Sequence, residues 1–200
     1  MMKYTGIIAI ILSILFFSCS KQEVTEVDIC IYGGTSAGVI AAYTAQQSGK
    51  NVLLIEPTHR LGGMSSGGLG FTDIGNKYVV KGLARDFYRR LGSHYGKLEQ
   101  WIFEPSVAES LFNDYIDRAG VNVLYGHRLY NVQKTENSIK QIEVENSKTP
   151  KNSTNKIIKA KIFIDCSYED NLMAQSGVSY IVGREANSVY NETFNGVQLM

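Results

Sequence analysis

The sequence predicts an α/β fold that is organised around a parallel βαβ unit. An apolar run at 29–32 stops at a pair of glycines, and a segment with helical patterning follows from about 36 to 48. A second apolar run, at 51–55, is closed by Glu56. Strand, glycine turn, helix, strand and acid is the order in which a parallel βαβ unit is built.

The glycine turn of this unit is typical of a dinucleotide-binding site. Read as G-x-G-x-x-G, it places Gly33, Thr35 and Gly38 in order, with threonine at the middle position. Such a turn brings backbone N–H groups and the positive end of the helix dipole up to a diphosphate. Glu56 follows about 20 residues later, where the second strand can bring a carboxylate to a ribose hydroxyl. An ordinary βαβ unit without a ligand is the alternative.

The composition is that of a globular protein, and it argues against a nucleic-acid partner. The chain has 200 residues, a formal net charge of +1 and 44% hydrophobic residues, enough for one full core and part of another. No basic stripe of the kind that binds nucleic acid occurs. The Lys-rich stretch 148–161 is interrupted by Pro150 and by polar residues, which predicts a solvated hairpin loop.

Residues 1–18 are typical of a secretory signal peptide. Their apolar run, 6–17, is shorter than the roughly 20 residues that span a bilayer. The ending Phe-Phe-Ser-Cys is similar to a bacterial lipoprotein signal, which implies lipidation of Cys19, with 19–26 as a tether. The protein is then expected to be exported and lipid-anchored to the bacterial membrane, facing the periplasm or the cell exterior. Plain secretion is the alternative.

The remaining cysteines, Cys30 and Cys166, each lie within an apolar strand-like run. Buried, unreactive thiols are therefore favoured over a disulfide or a redox pair. Because no C-x-x-C motif occurs, we expect no metal or iron–sulfur site.

A second glycine-rich stretch, 61–70, follows the acid that ends the βαβ unit. Five glycines occur within nine of its residues, which indicates main chain folded closely around something. A flexible surface loop is the alternative, but a solvated loop would expose the apolar side chains of Leu61, Met64 and Leu69 to water.

Two helices are expected after this stretch, at 81–91 and 104–119. Pro105 stands at the start of the second helix, where a missing N–H is tolerated, and Gly120 follows its end.

The second half of the chain predicts a third parallel strand and an antiparallel meander. The apolar run 121–125 gives the parallel strand, and alternation along 139–145 is typical of a half-exposed meander strand. A further buried strand is expected at 161–165, before a helix that reaches Gly177. The three meander strands are expected at 128–134, 139–145 and 156–160.

Several of these segments together resemble the family of FAD-dependent oxidoreductases with a glutathione-reductase-type FAD domain. Within it, the sequence is closest to the bacterial flavoproteins grouped with the heterodisulfide reductase A subunit. The resemblance covers about 28–191. It is carried by Glu56-Pro57, by Leu-Gly-Gly-Met-Ser-Ser-Gly-Gly-Leu-Gly at 61–70, by Thr-Asp-Ile-Gly at 72–75, and by 101–106, 165–170 and 182–188.

The resemblance implies a Rossmann-like FAD/NAD(P)-binding domain with a parallel sheet, in which an antiparallel β-meander replaces the crossover helix. Residues 27–177 form this FAD-binding domain, and 178–200 form the beginning of a truncated substrate domain. The chain is then the amino-terminal fragment of a larger enzyme, and its partner is the missing C-terminal part.

The resemblance also implies FAD as the cofactor. The glycine turn would cradle the diphosphate, and Glu56 would accept hydrogen bonds from the adenosine ribose. The stretch 62–64 would lead to the flavin, and backbone near Leu129 would meet the adenine. The expected cofactor-binding residues are Gly33, Gly34, Thr35, Ser36, Ala37, Gly38, Glu56, Pro57, Gly62, Gly63, Met64, Leu129, Cys166 and Ser167.

The function expected is flavin-mediated hydride or electron transfer on a small organic or sugar-derived substrate. No residue is identified as a catalytic acid or base, and helix capping explains Asp165 and Glu169 as well as ligand binding does. An NAD(P)-binding dehydrogenase and a non-catalytic surface binding module on a Rossmann scaffold are the alternatives.

Overall fold

One six-stranded sheet positions the elements of the site, in a computed structural model that describes residues 23–150 and 155–196. The strands are β1 (Val24–Tyr32), β2 (Val52–Glu56), β3 (Asn122–Tyr125), β4 (His127–Thr135), β5 (Ser138–Asn146) and β6 (Lys156–Asp165). Their order in the sheet is β3-β2-β1-β6-β5-β4. The first four are parallel, whereas β5 pairs antiparallel with both β6 and β4. The predicted α/β class, with a parallel sheet and an antiparallel meander, is confirmed.

The helices connect and cover the parallel strands. They are α1 (Ser36–Gln47), α2 (Met64–Gly67), α3 (Gly82–His94), α4 (Pro105–Ala119), α5 (Asn171–Gln175) and α6 (Asn187–Tyr190), with a 3-10 turn at Lys77–Val79. Helix α4 begins with Pro105 and ends at Gly120, which adopts φ +70°, so both predicted ends are confirmed. Helix α1 joins β1 to β2 and completes the parallel βαβ unit.

Each face of the parallel strands has its own core. On one face, Ile31 and Leu54 of the sheet pack with Val39 of α1 and Phe112 of α4. The other face carries Cys30, Tyr32, Leu53 and Ile55, which cluster with Leu129, Ile142, Val144, Ile158 and Leu172. The meander, together with Leu172 of α5, therefore covers the face of the sheet opposite α1 and α4.

Strand β6 is one continuous element where the sequence predicts two. Its first half pairs antiparallel with β5, and its whole length pairs parallel with β1, from Ile157 to Asp165. The expectation of a buried strand at 161–165 is wrong, because Ile162 is 54% exposed. Ile164 packs against the core that α1 and α4 form with the sheet, whereas Ile162 does not belong to that core.

Strand β1 begins at Val24, so the tether expected at 19–26 includes strand residues at its carboxyl end. Residues 24–26 pair with 157–159 of β6. Polar residues made this segment resemble a linker, but its acids are paired with β6: Glu23 with Lys156, and Glu26 with Lys159 at 3.3 Å. Just beyond the segment, Lys161 lies 2.6 Å from Asp28.

The predicted signal peptide, 1–18, and Cys19 lie outside the described residues. Within 23–150 and 155–196, no helix combines the length and the apolar character needed to cross a membrane.

Candidate functional site

A cleft of about 630 Å³ lies at the carboxyl ends of β1, β2 and β6. These strands are neighbours and parallel, so their ends meet at one edge of the sheet, where open α/β sheets bind ligands. The predicted residues that line the cleft are Gly33, Thr35, Glu56, Pro57, Gly63, Met64 and Ser167.

The bend after β1 packs directly against the chain that leaves β6. Gly33 adopts φ +99°, and a Cβ at this position would lie 2.7 Å from the amide nitrogen of Ser167. Its own amide donates a 2.9 Å hydrogen bond to the carbonyl oxygen of Ile55. Glycine is therefore required here for both conformation and space.

Glu56 turns its carboxylate towards this bend. The amide of Gly34 donates to its Oε2 at 2.7 Å, while the amide and the hydroxyl of Thr58 donate to its Oε1 at 2.7 and 2.6 Å. An ionised carboxylate has about four acceptor sites. Three donors from the protein leave room for one further hydrogen bond, for example from a ribose hydroxyl.

The hydroxyl of Thr35, at the middle position of the motif, is already bonded within the protein. It donates to the carbonyl oxygen of Cys166 at 2.8 Å and accepts a 3.3 Å hydrogen bond from the amide of Gly38. Thr35 is thus the N-cap of α1. Gly38 is needed for close packing, since a Cβ there would lie 1.9 Å from the carbonyl oxygen of Gly33.

The second glycine-rich stretch folds back onto the first. The amide of Gly62 donates to the carbonyl oxygen of Gly34 at 2.8 Å, and Gly62 has no space for a side chain because Phe112 packs against it. Gly63 adopts φ +55° beneath the hydroxyl of Tyr168, which accepts a 2.8 Å hydrogen bond from the amide of Met64. Part of what this main chain folds around is therefore the protein itself.

The other predicted residues, which are not among those that line the cleft, are Gly34, Ser36, Ala37, Gly38, Gly62, Leu129 and Cys166. Ser36, Ala37 and Gly38 form the first turn of α1, whose amides have no carbonyl one turn before them. The amide of Leu129 donates to the hydroxyl of Tyr32 at 3.2 Å, so it is already bonded within the protein. The role of each of these residues towards a cofactor stays a prediction.

The carboxylate of Asp165 bonds the start of helix α5, which agrees with helix capping rather than ligand binding. Its Oδ1 accepts hydrogen bonds from the amide and the hydroxyl of Ser167, and its Oδ2 accepts a 2.9 Å hydrogen bond from the amide of Met173 in α5. Glu169, by contrast, lines the cleft.

The two described cysteines are free thiols. Burial raises the pKa of Cys30 to about 12, and burial also raises the pKa of Cys166. Both thiols are therefore protonated near neutral pH, as expected for unreactive cysteines. Cys30 is buried as predicted, whereas Cys166 is only half-buried.

Sequence reasoning missed several residues that line the cleft, namely Tyr32, Thr58, Arg60, Arg128 and Tyr168. Tyr32 directly precedes Gly33, and Thr58 directly follows Pro57. Tyr168 belongs to the segment 165–170 that resembles the family. Their position in the sequence could therefore have identified these three residues. Arg128 had only its place beside Leu129.

Comparison with known proteins gives a family and a fold. A sequence model of the family described as FAD dependent oxidoreductase matches residues 28–200. The thiamine thiazole synthase of Pyrococcus horikoshii is 32% identical over 85 residues, which is 42% of this chain and 32% of that protein. The chain thus matches about a third of the length of this curated relative.

Solved structures share the fold at low sequence identity. THI4 of Thermovibrio ammonificans has a TM-score of 0.57 at 21% identity, covering 92% of this chain and 75% of that chain. L-proline dehydrogenase from P. horikoshii has a TM-score of 0.57 at 16% identity, covering 82% and 59%. A flavoprotein/dehydrogenase from Cytophaga hutchinsonii has a TM-score of 0.58 at 16% identity, covering 80% and 44%.

Proposed function

This chain belongs to the family of FAD-dependent oxidoreductases, and we propose that its share of the reaction is to hold FAD in the cleft at the ends of β1, β2 and β6. The bound flavin supplies the hydride or electron transfer, whereas the protein binds and orients it. The observation that carries the proposal is the carboxylate of Glu56, which lies against the amide of Gly34 at the bend. That arrangement offers a ribose acceptor beside a diphosphate cradle.

The residues present fit the adenosine diphosphate part of FAD. Main chain lines the bend, since a Cβ at Gly33 would clash there. Helix α1 begins directly after the bend, and a helix N-terminus favours a bound phosphate. Glu56 retains one acceptor site for a ribose hydroxyl. Gly63 and Met64 would extend the site towards the flavin.

Two observations favour FAD over NAD(P). The family match is to FAD-dependent enzymes, and the antiparallel meander β4-β5-β6 stands where a classical dehydrogenase domain has a crossover helix. A non-catalytic binding module would use the same scaffold but would carry no flavin.

The proposal also covers the substrate, the cellular location and the C-terminal part of the same enzyme as a partner. We propose a small organic or sugar-derived substrate, and export with a lipid anchor at Cys19, for which the support is the sequence at 1–19. Further residues of the same enzyme would complete the substrate site. The chain covers 75%, 59% and 44% of the three structural neighbours described above, so each of them is longer than the part that matches.

The test is to purify the full gene product, denature it and identify the released chromophore. We expect FAD, with flavin absorbance in the native protein. If the native protein is colourless, the apoprotein is titrated with FAD and with NAD by calorimetry. Binding of NAD without binding of FAD would support a dehydrogenase, and binding of neither would support a module without redox function.

A further inference from the structure

We infer that Arg128 is the residue on which the adenine of the bound nucleotide stacks, and that the buried Glu145 holds its guanidinium in place. This inference rests on the proposed function, because it assigns one contact within the same cleft. Neither residue belongs to the glycine turn or to the acid that ends β2.

Arg128 lies at the ribose end of the cleft. It is the second residue of β4 and lines the cleft. The amide of Gly126 donates a 2.9 Å hydrogen bond to the carbonyl oxygen of Thr58, so the chain entering β4 is tied to the segment that follows Glu56. An adenine attached to a ribose on Glu56 would therefore come within reach of Arg128.

The carboxylate of Glu145 holds the guanidinium of Arg128 along one edge. Arg128 and Glu145 are directly opposite each other in the antiparallel pair β4 and β5. Nε and Nη2 of Arg128 lie 2.9 and 2.8 Å from the same carboxylate oxygen, Oε1. The side chain of Glu145 is 5% exposed, whereas that of Arg128 is 48% exposed. One edge of the guanidinium is thus anchored, and a large part of its surface faces solvent.

A flat guanidinium held along one edge is suited to stack on an aromatic ring. The other arginine of the cleft lining, Arg60, is engaged differently. Its Nη1 donates to the carbonyl oxygen of Ser66 at 2.7 Å, and its Nε lies 3.5 Å from Glu109. The side chains of Arg60 and Arg128 are similarly exposed, at 52% and 48%, but only Arg128 has two nitrogens on one buried carboxylate oxygen. Arg128 is therefore the better oriented cation for an adenine.

An arginine at this end of a nucleotide site could instead bind a 2′-phosphate. The carboxylate of Glu56 argues against that role, because it would repel a phosphate on the ribose that it accepts. Stacking on an unmodified adenosine is compatible with both side chains.

The test compares ligands with and without adenosine. ADP carries the adenosine and the diphosphate, whereas FMN carries the flavin and a phosphate but no adenosine. Arg128→Lys keeps a cation for Glu145 but removes the flat guanidinium. A second variant, Arg128→Met with Glu145→Gln, removes both charges of the ion pair together, so that the buried carboxylate does not lose its counter-charge. Arg118→Lys on α4 is the matched control, since that side chain is 52% exposed and pairs with Asp114.

We expect both Arg128 variants to weaken ADP and FAD binding by about 3- to 30-fold, with the double variant more affected. FMN affinity should not change, and thermal unfolding of the Lys variant should match that of the parent. Arg118→Lys should bind all three ligands like the parent. Calorimetric titration of each protein measures these affinities.

Three results would overturn the inference while leaving FAD binding intact: unchanged ADP affinity in both variants, an equal loss for ADP and FMN, or tighter binding of 2′,5′-ADP than of ADP by the parent. If the parent binds neither FAD nor ADP, the proposed function itself fails.

Discussion

The amide of Gly34 donates a 2.7 Å hydrogen bond to Oε2 of Glu56. This contact joins the bend after β1 to the end of β2. Because Thr58 holds the other carboxylate oxygen, the side chain of Glu56 is held in place by groups of the protein itself. Binding then has little side-chain entropy to overcome at this position.

Replacing Glu56 by alanine is predicted to lower both stability and flavin occupancy. The amides of Gly34 and Thr58 lose their acceptor, which costs about 1–3 kcal/mol of unfolding free energy. Urea denaturation and flavin absorbance measure the two effects, with the exposed Lys148→Ala as the control. Stability therefore falls even if the site binds nothing, so flavin occupancy is the decisive measurement. Equal occupancy in Glu56→Ala and Lys148→Ala would contradict the ribose assignment.

Gly33→Ala should be far more damaging than Gly49→Ala. Both glycines have positive φ, +99° and +75°, so both substitutions carry a backbone penalty of about 1 kcal/mol. Only at Gly33 would the added Cβ also meet main chain, 2.7 Å from the amide of Ser167, whereas Gly49 has open space. We expect an additional loss of about 1–3 kcal/mol for Gly33→Ala in urea denaturation. Similar midpoints for the two variants would show that the bend can relax.

Thr35→Val tests the capping role of the threonine hydroxyl. Valine keeps the shape but removes the bonds to the carbonyl of Cys166 and the amide of Gly38. We expect a loss of about 1–2 kcal/mol. Thr35→Ser, which keeps the hydroxyl, should be close to the parent in thermal and chemical unfolding. A serine variant as unstable as the valine variant would point to the methyl group instead.

Stability should decrease on acidification partly through Asp28. A hydrogen bond from Lys161, and then one from the amide of Asn51, lower the pKa of this carboxyl below its ordinary value near 3.8. A lowered pKa stabilises the folded state above the unfolded value, and this contribution is lost as the pH falls through the folded pKa. Asp28→Asn should therefore show a smaller decrease in urea midpoint between pH 5 and pH 2, roughly the range over which such a carboxyl titrates. Parallel pH curves for the parent and the variant would contradict this.

The sequence predicted those helices and strands whose ends are marked by a characteristic residue such as proline or glycine. Pro105 and Gly120 define α4, and the glycine turn with Glu56 defines the βαβ unit. Strand β6 could not be predicted as one element, because its partners β5 and β1 are distant in the sequence and only the fold brings them to its two sides. The side-chain contacts around the cleft could not be predicted for the same reason. The hydroxyl of Thr35 bonds to the carbonyl oxygen of Cys166, which lies 131 residues further along the chain.

The acid–lysine pairs between β1 and β6 also restrict how the two strands can align. A shift of one residue would turn the apolar side chains of β6 to the opposite face of the sheet. A shift of two residues would break both the Glu26–Lys159 and the Asp28–Lys161 pair and would allow one new acid–lysine pair in their place. These partners are 133 residues apart, so the chain must bring two distant segments together with a single acceptable alignment. The charged pairs between β1 and β6 thus penalise misaligned pairing during folding.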